Sequence, residues 1–316
     1  MTTRPSVATR EAFGQTLLAL GKEDPNIVVV GGDLNVSTFA HLFGREFPDR
    51  FFDLGPAEQN MMSMSAGFAF SGKIPFANTF AVFGTGRPYD QIRVGIAQTG
   101  ANVKILGSHS GITVGEDGVS AQSIEDIALM CALPGFNVVV PADGPETAQA
   151  VRTAAKERGP FYLRVSRAAT PVIHGDGYQF RLGKAEVMRQ GKDVTLIACG
   201  IMVAAALDAA ENLAKTGVQA RVMNIATLQP LDRDAILLAA RETGALVTAE
   251  EHYINGGLGS MVASTVAQGH PVPVEMVALH RYAESGTPAQ LLVKYGLTAA
   301  GVEEAARRAL KRKTEQ

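Results

Sequence analysis

The segment DLGPAEQNMMSMSAGFA, residues 53–69, decides how the rest of the chain is interpreted. It places one carboxylate, Glu58, at the start of a helix of apolar and small residues, just after Gly55 and Pro56, which interrupt the preceding structure. A negative charge is favourable at a helix N-terminus because of the helix dipole. Such a glutamate usually stabilises the helix, and the alternative is a carboxylate that enters a binding pocket.

Short apolar runs alternate with helical segments through the first half of the chain. Predicted strands lie at residues 26–30, 51–54, 74–83, 103–107, 136–140 and 160–166, and predicted helices at 8–21, 60–70, 89–98, 123–132 and 146–158. Apolar strands separated by helices are typical of a parallel sheet with helices on both faces. We therefore predict an α/β domain over residues 1–168.

The second half repeats this alternation after a change of character. Residues 169–192 are polar, and they predict a linker with a small hairpin. Further strands are predicted at 194–199, 219–224, 245–249 and 272–278, and further helices at 201–216, 232–243, 257–268 and 298–312. The predicted fold class is therefore α/β, with a second domain over residues 193–316, each domain being a mostly parallel sheet flanked by helices.

Composition and charge exclude several classes of protein. A net charge of −2 argues against a polyanionic partner, so we expect no nucleic acid. The longest apolar runs stay below the roughly 18 residues of a membrane span, so we expect no membrane partner. Cys131 and Cys199 lie in apolar runs, which is typical of reduced thiols in a cytoplasmic protein. The sequence lacks a cysteine–histidine metal motif, so we expect no metal ligands on this chain.

Two loops carry more polar residues than a simple connection needs. GGDLNVS, residues 31–37, follows a predicted strand, and α/β sheets bind ligands at the carboxyl ends of their strands. SHSGITVGEDGVS, residues 108–120, is long and contains three glycines and a Glu-Asp pair. By contrast, GDG at 175–177 predicts only a turn, and GGLG at 256–259 predicts close packing at a helix start.

Three motifs in this order resemble the pyrimidine-binding domain of transketolases: GPAEQNMMSMSAGFAFSGKIPFANTFAVF at 55–83, RPYDQIR at 87–93 and GSHSGITVGEDG at 107–118. Residues 194–316, with LQPLD and EEHYINGGLGS, resemble the C-terminal domain of the same family. The resemblance does not extend to the N-terminal transketolase domain, which binds Mg2+ and the diphosphate of the cofactor. It therefore implies the C-terminal subunit of a split transketolase, which transfers a two-carbon ketol unit from a ketose to an aldose.

The resemblance also implies roles toward thiamine diphosphate. Glu58 matches the glutamate that hydrogen-bonds N1′ of the aminopyrimidine, and it is expected to assist proton removal from the cofactor. This role needs a raised pKa, which burial among the methionines that follow Glu58 would supply. Phe83 matches the aromatic residue that stacks on the pyrimidine, Phe80 the one beside it, and Asp33 an aspartate near the cofactor. Phenylalanines at this spacing could also be ordinary core residues.

A second set of residues matches family groups that hold the sugar or sugar phosphate. His109 is expected to bind substrate and to act in catalysis, and Asp117 matches the carboxylate that reads a substrate hydroxyl. Arg167, like His109, matches a group that holds the sugar phosphate, and Arg10 and Ser37 match other groups on the substrate side. Arginine suits this role because its planar fork bonds two oxygens at once. The alternatives are that Arg10 is a surface helix residue, Ser37 a loop hydroxyl and Arg167 a cation at the end of a strand.

The sequence departs from the family pattern at Ala121, where a histidine usually contacts the donor ketose. This change leaves the identity of the donor open. We expect an N-terminal partner subunit that carries the Mg2+ and diphosphate ligands, with two copies of each chain. The rival hypotheses are the β subunit of a 2-oxoacid dehydrogenase, a deoxyxylulose-phosphate-synthase-like protein, and a non-catalytic scaffold subunit. His109 and the GEDG loop at 115–118 favour transketolase.

Overall fold

The structure is a computed structural model that describes residues 4–315. The strands, in chain order, are β1 (Ser6–Ala8), β2 (Ile27–Gly31), β3 (Phe51–Asp53), β4 (Ile74–Phe80), β5 (Lys104–Ser108), β6 (Asn137–Val139), β7 (Phe161–Arg164), β8 (Ala169–Pro171), β9 (Glu186–Arg189), β10 (Val194–Ala198), β11 (Ala220–Asn224), β12 (Thr227–Gln229), β13 (Leu246–Tyr253) and β14 (Val274–Leu279).

The helices, in chain order, are α1 (Thr9–Glu23), α2 (His41–Glu46), α3 (Glu58–Phe70), α4 (Ala81–Gly86), α5 (Tyr89–Gln91), α6 (Asp126–Cys131), α7 (Gly144–Lys156), α8 (Met202–Lys215), α9 (Arg233–Thr243), α10 (Leu258–Gly269), α11 (Pro288–Lys294) and α12 (Ala299–Thr314). Short 3-10 segments lie at Pro48–Arg50 and Ile112–Asp117, and a π-helical turn lies at Ile92–Ala97. None of the helices between residues 4 and 315 combines the length and apolar composition needed to cross a membrane.

The larger sheet has the strand order β12-β6-β7-β5-β4-β2-β3. The strands from β6 to β3 are parallel, and β12 is antiparallel to its neighbour β6. Strands β2 and β5 are buried along their whole length, because helices cover both faces of the sheet. Alternate side chains of each strand therefore enter different cores.

Each face of this sheet has its own group of helices. Val29 and Phe76 pack with α1 and α7, whose apolar faces meet on one side. Val30 and Ala77 face the other side, where Met61 of α3 and the π-helical turn complete the core. Burial of these apolar side chains stabilises the domain, at about 1.5–3 kcal/mol for each fully buried large side chain.

The second sheet has the order β14-β13-β10-β11-β9, and its strands are parallel apart from β9, which is antiparallel to β11. Helices α8 and α12 pack on one face, and α9 and α10 contribute to the core on the other. The chain therefore folds into two α/β domains with mostly parallel sheets flanked by helices. The predicted fold class is confirmed.

The predicted hairpin in residues 169–192 is wrong. β8 pairs with β1 near the start of the chain, and β9 joins the edge of the second sheet. Tertiary pairing therefore takes up both short strands, although the local sequence favours a turn between them. The GDG segment between them forms the predicted turn, with Gly177 at a φ of 92°.

Three further predictions of secondary structure need correction. The strand predicted at 74–83 ends at Phe80, because the chain turns into α4 at Ala81. The strand predicted at 245–249 continues to Tyr253, because its charged residues are buried and paired rather than exposed. Helix α3 starts at Glu58, two residues before the predicted start.

The junction between the domains contains a buried ion cluster. His174 is 5% exposed, and its two ring nitrogens lie 3.0 Å from carboxylate oxygens of Asp143 and Glu186. Burial lowers the pKa of His174, but the hydrogen bonds to these two carboxylates outweigh burial and raise the pKa to about 10. The imidazolium therefore bridges Asp143, which caps α7, and Glu186 of β9 at the edge of the second sheet.

Candidate functional site

Glu58 is the first residue of α3, and its side chain is only 3% exposed. Met61 and Met62, one turn further along the helix, are fully buried beside the same core. A glutamate that merely stabilised the helix dipole would lie in solvent. The carboxylate is instead buried, which favours the alternative of a binding carboxylate.

Arg87 is the hydrogen-bond partner of this carboxylate. Its Nη1 donates to Glu58 Oε1 at 2.8 Å, and its Cζ lies 4.2 Å from the centre of the Phe83 ring. The sequence analysis assigned Arg87 no role, and the 29 residues that separate it from Glu58 give no local signal of the contact.

Three aromatic rings connect the two predicted halves of the site. Phe80 ends β4 and Phe83 lies in α4, so the turn after the strand brings their rings to 6.0 Å with an interplanar angle of 10°. The His109 ring stacks on Phe80 at 3.7 Å with an angle of 15°. A strand through residue 83 would have pointed these side chains to opposite faces.

His109 follows β5 and has a positive φ of 56°, a conformation that histidine adopts rarely. Its Nε2 lies 3.4 Å from Arg10 Nη1, and its Nδ1 lies 2.9 Å from the Ser108 hydroxyl oxygen. A guanidinium can only donate, so Nε2 accepts, and we infer that Nδ1 carries the proton. Burial lowers the pKa of His109 to about 3, with help from the charges of Arg10 and Arg167, so the ring is neutral at pH 7.

Two guanidinium groups lie near this neutral ring. Arg10 Nη1 donates to the Ser37 carbonyl oxygen at 2.7 Å, and its buried Nε has no partner among the described residues. Arg167 donates to the Val114 carbonyl oxygen and lies 3.3 Å from the carboxylate of Glu116. Burial and the charge of Arg167 lower the pKa of Arg10. This end of the site is therefore suited to an anion with several oxygens.

The other predicted residues lie at the margins of the site. Asp33 is exposed and has a positive φ of 67°. Its backbone N–H donates to Asp53 Oδ1 at 2.9 Å. Asp117 is exposed at the end of its 3-10 segment. Ser37 contacts Arg10 through its backbone carbonyl oxygen. Ala121 is buried, and its methyl group offers a sugar no hydrogen bond.

One continuous line of contacts therefore joins residues that are far apart in the chain. Its members, in spatial order, are Glu58, Arg87, Phe83, Phe80, His109, Arg10 and Ser37. Within residues 4–315, the side chains of Asp33 and Asp117 make no hydrogen bond to this line. The charge of Arg167 acts on it by lowering the pKa of both Arg10 and His109.

The residues present fit an aminopyrimidine at one end of this line. Glu58 supplies a buried carboxyl group for a ring nitrogen, and the Phe83 ring supplies a flat apolar surface. They do not supply a metal site there. Among the described side chains, the group with metal-ligand spacing is Glu146, His174 and Glu186 at the domain junction, where the imidazolium is already paired.

Comparison with known proteins matches each half of the chain to a domain of one enzyme family. The family model for the transketolase pyrimidine-binding domain matches residues 5–172, and the model for the transketolase C-terminal domain matches residues 183–302. A putative transketolase C-terminal section from Methanocaldococcus jannaschii is 41% identical over 292 residues, which are 91% of this chain and 92% of that protein.

Human transketolase is 40% identical over 305 residues, which are 95% of this chain. The chain spans about half the length of that protein, 49%. A solved structure described as a split-gene transketolase, inactive β4 tetramer, is 46% identical with a TM-score of 0.90, and the match covers 98% of this chain and all of that one.

Proposed function

Because the chain belongs to the transketolase family, we propose that it is the pyrimidine-binding and C-terminal subunit of a split transketolase. With an N-terminal partner subunit, it transfers a two-carbon ketol unit from a ketose, in the first instance a ketose phosphate, to an aldose. The observation that carries this proposal is the line of contacts from the buried Glu58 to His109 and Arg10. It puts a carboxyl group, an aromatic surface and an anion site next to one another.

Thiamine diphosphate, when bound, supplies the carbon centre to which the ketol unit is attached. Glu58 would hold its aminopyrimidine through a hydrogen bond to the ring nitrogen, and Phe83 would support the face of the ring. Arg87 occupies Oε1 of Glu58, so the cofactor would either bond the second carboxylate oxygen or compete with Arg87 for the first. The carboxyl group then acts in a buried environment, where a hydrogen bond is stronger than in water.

His109 and the two arginines would act on the sugar. The neutral His109 accepts a proton at Nε2 or donates one through Nδ1, and its stack on Phe80 fixes the plane in which it does so. Arg10 and Arg167 would hold the phosphate, with the buried Nε of Arg10 as an unused donor. Asp117 would reach a substrate hydroxyl from the exposed end of its loop.

The partner subunit would supply the Mg2+ and diphosphate ligands. The similarity to a split-gene transketolase described as an inactive β4 tetramer supports this dependence, and it supports self-association of this chain. We propose a complex with two copies of each chain, with residues 1–168 as the pyrimidine-binding domain and 193–316 as the C-terminal domain.

Reconstitution tests the proposal. The chain alone, with thiamine diphosphate, Mg2+ and a ketose phosphate, is expected to show no turnover, and the complex with the partner subunit is expected to be active. In that complex, Glu58→Gln is expected to lower kcat by about 10²- to 10⁴-fold, the usual contribution of a positioned proton-transfer group.

A matched control is Glu146→Gln, which also neutralises a buried glutamate in the first turn of a 13-residue helix but lies at the domain junction. Its kcat should stay within a few-fold of the wild-type value. Robust turnover by the chain alone would refute the split-subunit assignment. Decarboxylation of pyruvate without cleavage of any ketose would favour a 2-oxoacid dehydrogenase instead.

A further inference from the structure

The loop that carries His109 is held by a residue of the second domain. Glu251 lies near the end of β13 and is 3% exposed. Its Oε1 accepts a hydrogen bond of 2.6 Å from the backbone N–H of Thr113. This short bond to a carboxylate joins the C-terminal sheet to the loop at residues 109–117, which the sequence analysis placed entirely in the first domain.

The loop wraps closely around this carboxylate. Gly111 has a φ of 76°, and a Cβ atom at this position would overlap the carboxyl group of Glu251. The N–H of Gly111 donates to the Ser123 carbonyl oxygen at 2.7 Å, and Ser110 bonds the Val165 carbonyl oxygen. The backbone at 110–113 is therefore fixed on three sides, and Glu251 provides the side that belongs to the other domain.

The position of this loop affects the proposed substrate-binding residues directly. Val114, the residue after Thr113, accepts a hydrogen bond from Arg167, and Glu116 pairs with the same guanidinium. His109 lies two residues before Gly111 in the same loop. A shift of the backbone at Thr113 would therefore move the contacts of both Arg167 and His109.

The adjacent glutamate has a different task. Both oxygens of Glu250 accept backbone N–H groups at the start of α10, from Leu258 and Gly259, at 2.8 Å each. Successive residues of a strand point to opposite faces, so Glu250 stabilises its own domain and Glu251 reaches the loop. Burial raises the pKa of both carboxyl groups to about 7, so the two residues are closely matched apart from their partners.

We infer that Glu251 is a positioning residue for substrate binding, which fixes the loop at 109–117 and thereby the orientation of His109 and Arg167. The second domain then contributes to sugar affinity without touching the sugar. This inference rests on the proposed function, because it takes His109 and Arg167 as the substrate-binding groups. Cofactor affinity should not depend on Glu251, since Glu58 and Phe83 lie on other elements.

The test compares Glu251→Met, which keeps the volume but removes the acceptor, with Glu251→Gln, which keeps an acceptor oxygen. In the reconstituted complex, Glu251→Met is expected to raise the KM for a ketose phosphate by about 10- to 100-fold, since it leaves a buried N–H without a partner. The Kd for thiamine diphosphate should change less than about twofold. Glu251→Gln should restore the KM to within a few-fold of wild type.

Two further variants distinguish the proposed role of Glu251 from a general loss of stability. Glu250→Met is the matched control and should lower the melting temperature with little change in KM. Gly111→Ala leaves Glu251 intact but forces the loop away from it, so it should raise the KM as Glu251→Met does. Equal KM effects of Glu250→Met and Glu251→Met would overturn the inference, as would a failure of Glu251→Gln to restore the KM.

Hydrogen exchange of residues 109–118 in the full chain gives a readout that needs no activity. Glu251→Met should accelerate exchange there, whereas Glu250→Met should not. Unchanged exchange in Glu251→Met would overturn the inference even if the wild-type complex is an active transketolase. A wild-type complex without ketose turnover would instead refute the proposed function, and the exchange data would still decide whether Glu251 holds the loop.

Discussion

At the Glu58 end of the site, one half-exposed side chain, Arg87, contacts both the buried carboxylate and the Phe83 ring. At the His109 end, buried backbone hydrogen bonds and two arginines from separate elements fix the histidine and its loop. The first end can therefore rearrange when a ligand enters, whereas the second is largely preorganised. In the proposed function, preorganised groups would suit the reacting sugar, and an exchangeable contact would suit a cofactor that enters from outside.

The largest effect should come from the preorganised end, where His109→Asn removes the imidazole but keeps a residue that tolerates a positive φ. We expect kcat/KM of the complex to fall about 10²- to 10⁴-fold, the range for a proton-transfer group. The pKa of about 3 keeps His109 neutral, so its titration should not lower the wild-type rate between pH 5 and 8. Steady-state kinetics across this range measures both.

His280→Asn, at an exposed position, is the control for this experiment. A His109→Asn complex with nearly wild-type kcat/KM would show that the ring only fills space beside Phe80. The two ends of the site would then not differ in the way described above.

An intermediate effect is expected at the arginines. Arg10→Lys keeps the charge but loses the planar fork, and we expect the KM for a ketose phosphate to rise about 10- to 100-fold, the cost of losing a charge-assisted hydrogen bond. The KM for a ketose without phosphate should change little. Arg158→Lys, an exposed position, controls for general effects. Equal changes for both substrates would mean that Arg10 does not bind the phosphate.

The smallest effect should appear at the exchangeable end. Arg87→Met removes a half-exposed ion pair that would compete with the cofactor for the carboxylate of Glu58, so thiamine diphosphate should bind the complex about two- to fivefold more tightly, in line with the small energies of such pairs. Calorimetric titration measures the Kd, and Arg93→Met, an exposed position in the same motif, is the control. Substantially weaker binding would instead make Arg87 a residue that holds the cofactor.

The hydrophobic pattern was sufficient to predict most of the strands in the two sheets, because buried parallel strands are continuous apolar runs such as residues 27–31. It failed where tertiary contacts override local preference. Residues 81–83 look like strand but turn into α4, and the charged pair Glu250-Glu251 looks like a strand end but lies buried inside β13. In both cases the decisive partners are distant in the chain.

The site residues were found mainly through the family resemblance. Burial of Glu58 and the stack of Phe80 on His109 agree with a shared site, although nothing in the local sequence specifies either contact. Arg87 and Glu251 were missed because their importance depends on what they touch. A charged residue in a motif has the same appearance in the sequence whether it lies in solvent or against a buried partner.

Strand β12 has a consequence for how the chain can be divided. It comes from the second half of the sequence, yet it covers the outer edge of β6 in the first sheet, and Gln229 adds side-chain bonds to the Leu133 and Phe136 carbonyl oxygens. A first domain produced by itself would leave that edge open to strand addition by other molecules. The second half of the chain thus acts as a built-in protection of the first against aggregation.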